Sequence, residues 1–157
     1  MAPDAGVNVM REGAMTLRAA IPSERRFQEL WPRLADGGWS SLAVVPADPG
    51  GNAVAIARAL AEVGTRLGEA PVVAVAAEAL DYASARDLLE LQRRAGSAQL
   101  VLALPPVLVE PLGLAVAREA DAVLLTVVRG RTRLADVRRT VELLGRERLV
   151  GCVLVGG

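Results

Sequence analysis

The sequence predicts a three-layer α/β sandwich, a parallel sheet of about five strands with helices on both faces. Three observations predict it. Five short aliphatic runs, Leu42–Val45, Val72–Val75, Leu100–Leu104, Val123–Val128 and Val150–Val155, are continuous rather than alternating, as strands buried on both faces are. The stretches between them carry helical periodicity, and strand–helix–strand repetition with right-handed crossovers builds layers of this kind. At 157 residues the chain makes one core, which must be aliphatic, because hydrophobic residues are 52% of the chain and aromatics only 3%.

The elements follow in order. Residues 1–22 carry Gly, Pro and Asn without sustained periodicity and are expected to be a loose leader, so the single domain spans 23–157. Phe27, Leu30, Trp31 and Leu34 share one helix face, with Ser23 as N-cap and Gly37-Gly38 as the stop. Pro32 lies inside that helix, where it removes a backbone donor. Ile56, Leu60, Val63 and Leu67 form a second apolar stripe, and Leu134, Val137, Val141 and Leu144 a third. Residues 82–95 and 109–119 are the other connecting helices, the latter with Pro111 in its first turn.

Charge excludes several classes of function. Lys+Arg and Asp+Glu balance at 18 each, so no domain-wide field draws the chain to nucleic acid or membrane. Every basic residue is arginine; lysine and histidine are absent. Without histidine the usual general base and commonest metal ligand are missing. The single cysteine, Cys152, excludes an internal disulfide and a cysteine metal cluster, and its apolar setting reads as core. No stretch approaches the ~20 apolar residues of a membrane span, and no secretory signal is visible. The cytoplasm is the expected compartment, with contact to the inner membrane only through a partner.

The first strand runs into a helix through Pro46-Ala47-Asp48-Pro49-Gly50-Gly51-Asn52-Ala53-Val54-Ala55. A glycine-bearing loop between a buried strand and a helix is where a phosphate-binding loop sits, but it needs a cation and a hydroxyl at its end. This one offers Ala53, Val54 and Ala55.

From about Ser23 to Gly157 the chain resembles the cytoplasmic ATPase domain of bacterial tyrosine kinases of capsule and exopolysaccharide synthesis, part of the MinD/ParA-like group of deviant-Walker P-loop ATPases. Three segments carry the resemblance. They are the helix Arg26-Phe27-Gln28-Glu29-Leu30, the strand–loop–helix from Pro46 to Ala61 with Pro49-Gly50 retained, and the stretch from Gln99 through Pro105-Pro106 and Ala120-Asp121-Ala122-Val123-Leu124-Leu125 to Gly151-Cys152-Val153-Leu154. The resemblance implies strand order second–third–first–fourth–fifth and a ligand crevice at the carboxyl edge of the strands.

It also identifies what is missing. The loop lysine and the Mg²⁺-binding hydroxyl correspond to Ala53 and Val54, and the flexible glycine before them to Asn52. The second acidic motif falls on Ala76-Ala77-Glu78, the Walker B aspartate on Ala103 and the base-recognising asparagine on Gly156. Asp48 and Glu78 remain near the same face, where two carboxylates without a cation would repel a triphosphate. The expectation is a vestigial loop (Asp48, Pro49, Gly50, Gly51, Asn52, Ala53, Val54) with no catalytic residue, no metal and no cofactor. A helix N-terminus after Gly51 contributes ~0.3–1 kcal/mol toward an anion. That is small beside the ~4 kcal/mol of millimolar affinity.

Other chemistry fares no better. The serines at 23, 40, 41, 84 and 97 have no Lys or His to activate them. Asp81/Asp87 and Glu142/Glu147 read as solvated faces. Tyr82 is the sole tyrosine, whereas the kinases carry a tyrosine-rich tail and a longer excursion between second and third strands. Arg129, Arg131, Arg133, Arg138 and Arg139 form a basic cluster, either a solvated helix face paired with Asp136 and Glu142 or a surface for an acidic partner or lipid headgroups.

Two classes of function remain. One is a non-catalytic pseudo-ATPase or pseudokinase serving as an interaction or scaffold partner in polysaccharide synthesis or export. The other is a working ATPase or tyrosine kinase whose unorthodox site a partner completes. Under the first, the partner is a polysaccharide co-polymerase, a related ATPase or a second copy, and nucleic acid is not. The interface candidates are Phe27, Trp31 and Trp39 on and beyond the first helix, then Arg129, Arg131 and Arg138.

Overall fold

The computed structural model describes residues 7–9, 15–18, 24–77 and 80–156. After two short strands, β1 (Val7–Val9) and β2 (Met15–Arg18), come α1 (Glu24–Ala35), β3 (Ser41–Pro46), α2 (Val54–Leu67), β4 (Val72–Ala76) and α3 (Tyr82–Ala95). They are followed by β5 (Gln99–Ala103), α4 (Pro111–Glu119), β6 (Ala122–Val128), α5 (Leu134–Leu144) and β7 (Leu149–Gly156).

The sheet order is β1-β2-β7-β6-β3-β5-β4. Its five central strands are parallel and run β4-β5-β3-β6-β7, the second–third–first–fourth–fifth order expected from the sequence. The stretch expected to be a loose leader contributes two short strands among its described residues. β2 pairs in parallel with β7, Met15 opposite Val153, and β1 adds antiparallel outside it. Without β2 the edge of β7 would be a row of unpaired backbone groups, and β2 completes it. The proposed N-cap, Ser23, lies outside the described residues.

The helices divide between the faces. Along β3, Leu42 and Val44 point to α1 and α2, while Ala43 and Val45 point to the layer of α3, α4 and α5, and all are fully buried. This is why the strand reads as a continuous aliphatic run. The α1 helix continues through Pro32 to Ala35 and is stopped at Gly38, whose φ of +64° favours glycine. On the α3 side, Asp81 caps its helix by accepting the Ser84 backbone N–H at 2.7 Å. The stripes of α2 and α5 end in exposure, with Leu67 at 53% and Leu134 at 63%.

The edge opposite the ligand crevice is tied by Asp121. Its Oδ2 accepts from the backbone N–H of Ser40 at 2.9 Å and of Ser41 at 3.1 Å, and from the Ser40 hydroxyl at 2.7 Å. The Ser41 hydroxyl returns a bond by accepting from the Asp121 N–H at 3.0 Å. Burial raises the Asp121 pKa, but the bonds from Ser40 and Ser41 and the charge of Arg93 outweigh it and hold it below the usual 3.8.

Candidate functional site

The loop from β3 to α2 sits where the parallel topology places a ligand crevice, at the carboxyl edge beside the switch from β3 to its neighbours β5 and β6. The Ala47 N–H donates to the Thr126 carbonyl at 2.8 Å, joining the start of the loop to β6. A tight turn follows, closed by the Gly51 N–H donating to the Asp48 carbonyl at 2.8 Å. Gly51 is required there. A Cβ on it would lie 2.7 Å from the Pro46 Cβ and 3.0 Å from the Asp48 carbonyl oxygen.

The turn folds the Asp48 side chain under its own loop. The carboxylate is 9% exposed, and its Oδ2 lies 3.7 Å from where a Cβ on Gly50 would begin. Arg131, from the turn after β6, closes over it. Nε and Nη2 of the guanidinium both stand 2.6 Å from Asp48 Oδ2. The expectation that Asp48 lacks a cation is therefore corrected. Arg131 reaches it because β3 and β6 are neighbours and release their loops side by side.

Asn52 has a defined task. Its Oδ1 accepts the Val54 N–H at 2.8 Å, satisfying one of the orphan donors at the start of α2. With Gly51 bonded to Asp48, two backbone donors that a phosphate-cradling loop turns inward are committed to the protein itself. Ala53, at the N-cap, contributes no side-chain bond and is buried.

Two of the remaining expected positions lie at the carboxyl ends of strands, on β5 and on β7. Ala103 ends β5 opposite Val44 of β3 on one side and Ala76 of β4 on the other, and it is 3% exposed. Gly156 ends β7. Glu78 lies outside the described residues. These strand ends thus present methyl groups and a glycine, with no carboxylate or amide side chain. Among the described residues no group of three or more metal-ligating side chains assembles. Burial pushes the Cys152 thiol up to about 11, far from a nucleophile's value.

The interface candidates of the first helix are not surface residues. Phe27, Trp31 and Trp39 are 0%, 3% and 4% exposed. The two indoles meet edge to face at 5.8 Å, and Trp39 Nε1 donates to the Leu34 carbonyl at 2.7 Å. Trp31 lies flat over Gly64 of α2, where a Cβ would come within 2.5 Å of its ring. In a chain so poor in aromatics, these rings fill its own core. The arginine cluster, by contrast, is exposed. Tyr82 donates its hydroxyl to Glu119 at 2.7 Å.

What sequence reasoning missed is the Arg131–Asp48 pair. The strand order held the signal, since residues just past the first and fourth strands must meet when those strands are neighbours.

No family model matches the chain, and no curated protein matches it in sequence. Among the described residues no helix is long and apolar enough to cross a membrane. Among solved structures, the chain is similar to the BceF tyrosine kinase domain, with a TM-score of 0.66 at 12% identity over 85% of this chain and 77% of that one. The fold is that of this bacterial tyrosine kinase domain.

Proposed function

We propose that the chain is a non-catalytic, degenerate member of the bacterial tyrosine kinase-like, MinD/ParA-related P-loop group, retained as an interaction or scaffold module. The observation that carries this reading is the occupied loop. A phosphate-binding loop presents free backbone donors and a cation to a ligand's anion; here the cradle contains its own carboxylate, Asp48, with its own cation, Arg131, and Asn52 consumes the Val54 donor. Methyl groups at Ala53 and Ala103 stand where phosphate transfer needs an ammonium and a carboxylate.

Polysaccharide synthesis or export is the setting that the resemblance to capsule and exopolysaccharide kinases supports, with a co-polymerase or related ATPase as partner and the cytoplasmic side of the membrane as the place. The burial of Phe27, Trp31 and Trp39 moves the expected docking surface away from the first helix and toward exposed polar faces.

The test is incubation with radiolabelled Mg-ATP, followed for released phosphate and for label on Tyr82. The reading expects neither above a boiled control. Turnover that rises with protein concentration overturns it and favours the working, partner-completed enzyme.

A further inference from the structure

The turn after β6 and the start of α5 present a cationic surface whose charge nothing in the fold uses. Arg129, Arg133 and Arg138 are exposed, and among the described residues none has a carboxylate within 4.0 Å. The pairing that would make them an ordinary solvated face is not formed. Glu142 reaches only Arg139, at 3.4 Å, and Arg131 turns to Asp48 instead.

Three further features set this surface apart. Arg133 occupies the N-cap of α5 without a side-chain cap, so a cation stands at the positive end of the helix dipole, with Asp136 in the first turn as the only acidic group beside it on that helix. Its neighbour Leu134, one helical turn before Arg138, is 63% exposed. The presenting turn is well tied. The Val128 N–H donates to Thr132 Oγ1 at 2.7 Å, Thr132 N–H returns to the Val128 carbonyl at 2.9 Å, Gly130 has φ +79°, and Arg131 is fastened to Asp48. Exposed arginines without a carboxylate partner, set beside an exposed leucine, mark a surface open to something else.

We infer that this surface docks an acidic segment of a partner protein, with an apolar residue of that segment set against Leu134. The inference rests on the scaffold reading and names the chemistry of the partner. Carboxylates take guanidinium groups in directed, paired hydrogen bonds. A membrane fits less well, since with Arg131 and Arg139 paired only three arginines remain free here among the described residues, below the about four to eight basic residues of lipid-binding clusters, and this chain has net charge +0. A nucleic-acid backbone would use the arginines but leave Leu134 without a contact.

The test uses the intact chain and three probes: a short fluorescent peptide of alternating glutamate and leucine, phosphatidylserine vesicles, and duplex DNA. The peptide is expected to bind in preference to the other two. Arg129→Glu, Arg133→Glu and Arg138→Glu together should weaken it by about tenfold or more, while Arg94→Glu on α3 leaves it unchanged. Leu134→Ser should weaken binding without altering its salt dependence. Circular dichroism checks each fold, and Arg133→Glu alone is the fallback if the triple variant unfolds. Equal peptide binding by parent and variants, no binding by the parent, or preference for vesicles or DNA overturns the inference. None of these results touches the occupied loop, whereas nucleotide turnover would overturn the scaffold reading and leave this surface standing.

Discussion

Arg131 and Asp48, 83 residues apart in sequence, share one carboxylate oxygen, with Nε and Nη2 both 2.6 Å from Oδ2. The pair bridges the loops that leave two neighbouring parallel strands, at the edge where α/β sheets of this order hold their ligands. It is 9% exposed on the carboxylate side and 59% on the arginine side, so solvent screens it only in part.

Replacing Arg131 with alanine strands a nearly buried carboxylate beneath the loop. The expected loss is about 1–2 kcal/mol, below the cost for a fully buried charge because the arginine is half exposed. Chemical denaturation measures it. Asp48→Asn with Arg131 retained should cost less, since an amide can still accept from the guanidinium.

Polar replacement of Phe27 or Trp31 should damage the fold rather than an interface. Each is buried against α2, and Phe→Ala or Trp→Ala changes in cores cost about 3–5 kcal/mol. Gly64→Val should cost about 1–3 kcal/mol by overpacking, because its side chain enters the Trp31 ring. Thermal melts of the three variants should shift together, and a cooperative melt at the parental temperature for Trp31→Ser would contradict this packing.

Asp121 supplies an acid-sensitive tie. Its folded pKa is depressed below 3.8, so its contribution is present above that value. The contribution is lost as pH falls through 3.8 toward the folded value. Asp121→Asn should lower stability at neutral pH and flatten the acid limb of the stability curve. Denaturant midpoints across the acid range read both effects.

Cys152 should resist alkylation. With its pKa at about 11, roughly one thiol in a thousand is ionised at mildly alkaline pH. Iodoacetamide labelling followed by mass spectrometry should proceed far more slowly than for a free thiol, and accelerate in denaturant. Fast labelling of the folded chain would show a thiolate that the buried setting does not allow.

Most of the layer architecture was legible because burial on both faces leaves no alternative to aliphatic runs. Leu42 through Val45 all face a helix layer, so the strand has no polar side to confuse with a hairpin. The N-terminal strands were not legible. Three or four residues hold too little periodicity to register, and their partner is β7, far along the chain. The loop's lack of a lysine could be read directly from the sequence. Its closure by Asp48 and Arg131 leaves no local pattern, and only the adjacency of β3 and β6 points to it. The fate of Trp31 could not be read either, since its helix-face position fits either core or surface until Gly64 is seen beneath it.

The central claim is that the β3–α2 loop turns its polar groups to the protein itself and takes no nucleotide. Calorimetric titration of the intact chain with ATP, with and without Mg²⁺, tests it most directly. The account predicts no saturable heat at physiological nucleotide concentration in either condition, and none for Arg131→Ala, which opens the loop without supplying the missing lysine. A saturable, Mg²⁺-dependent isotherm with a dissociation constant in the micromolar range would contradict it.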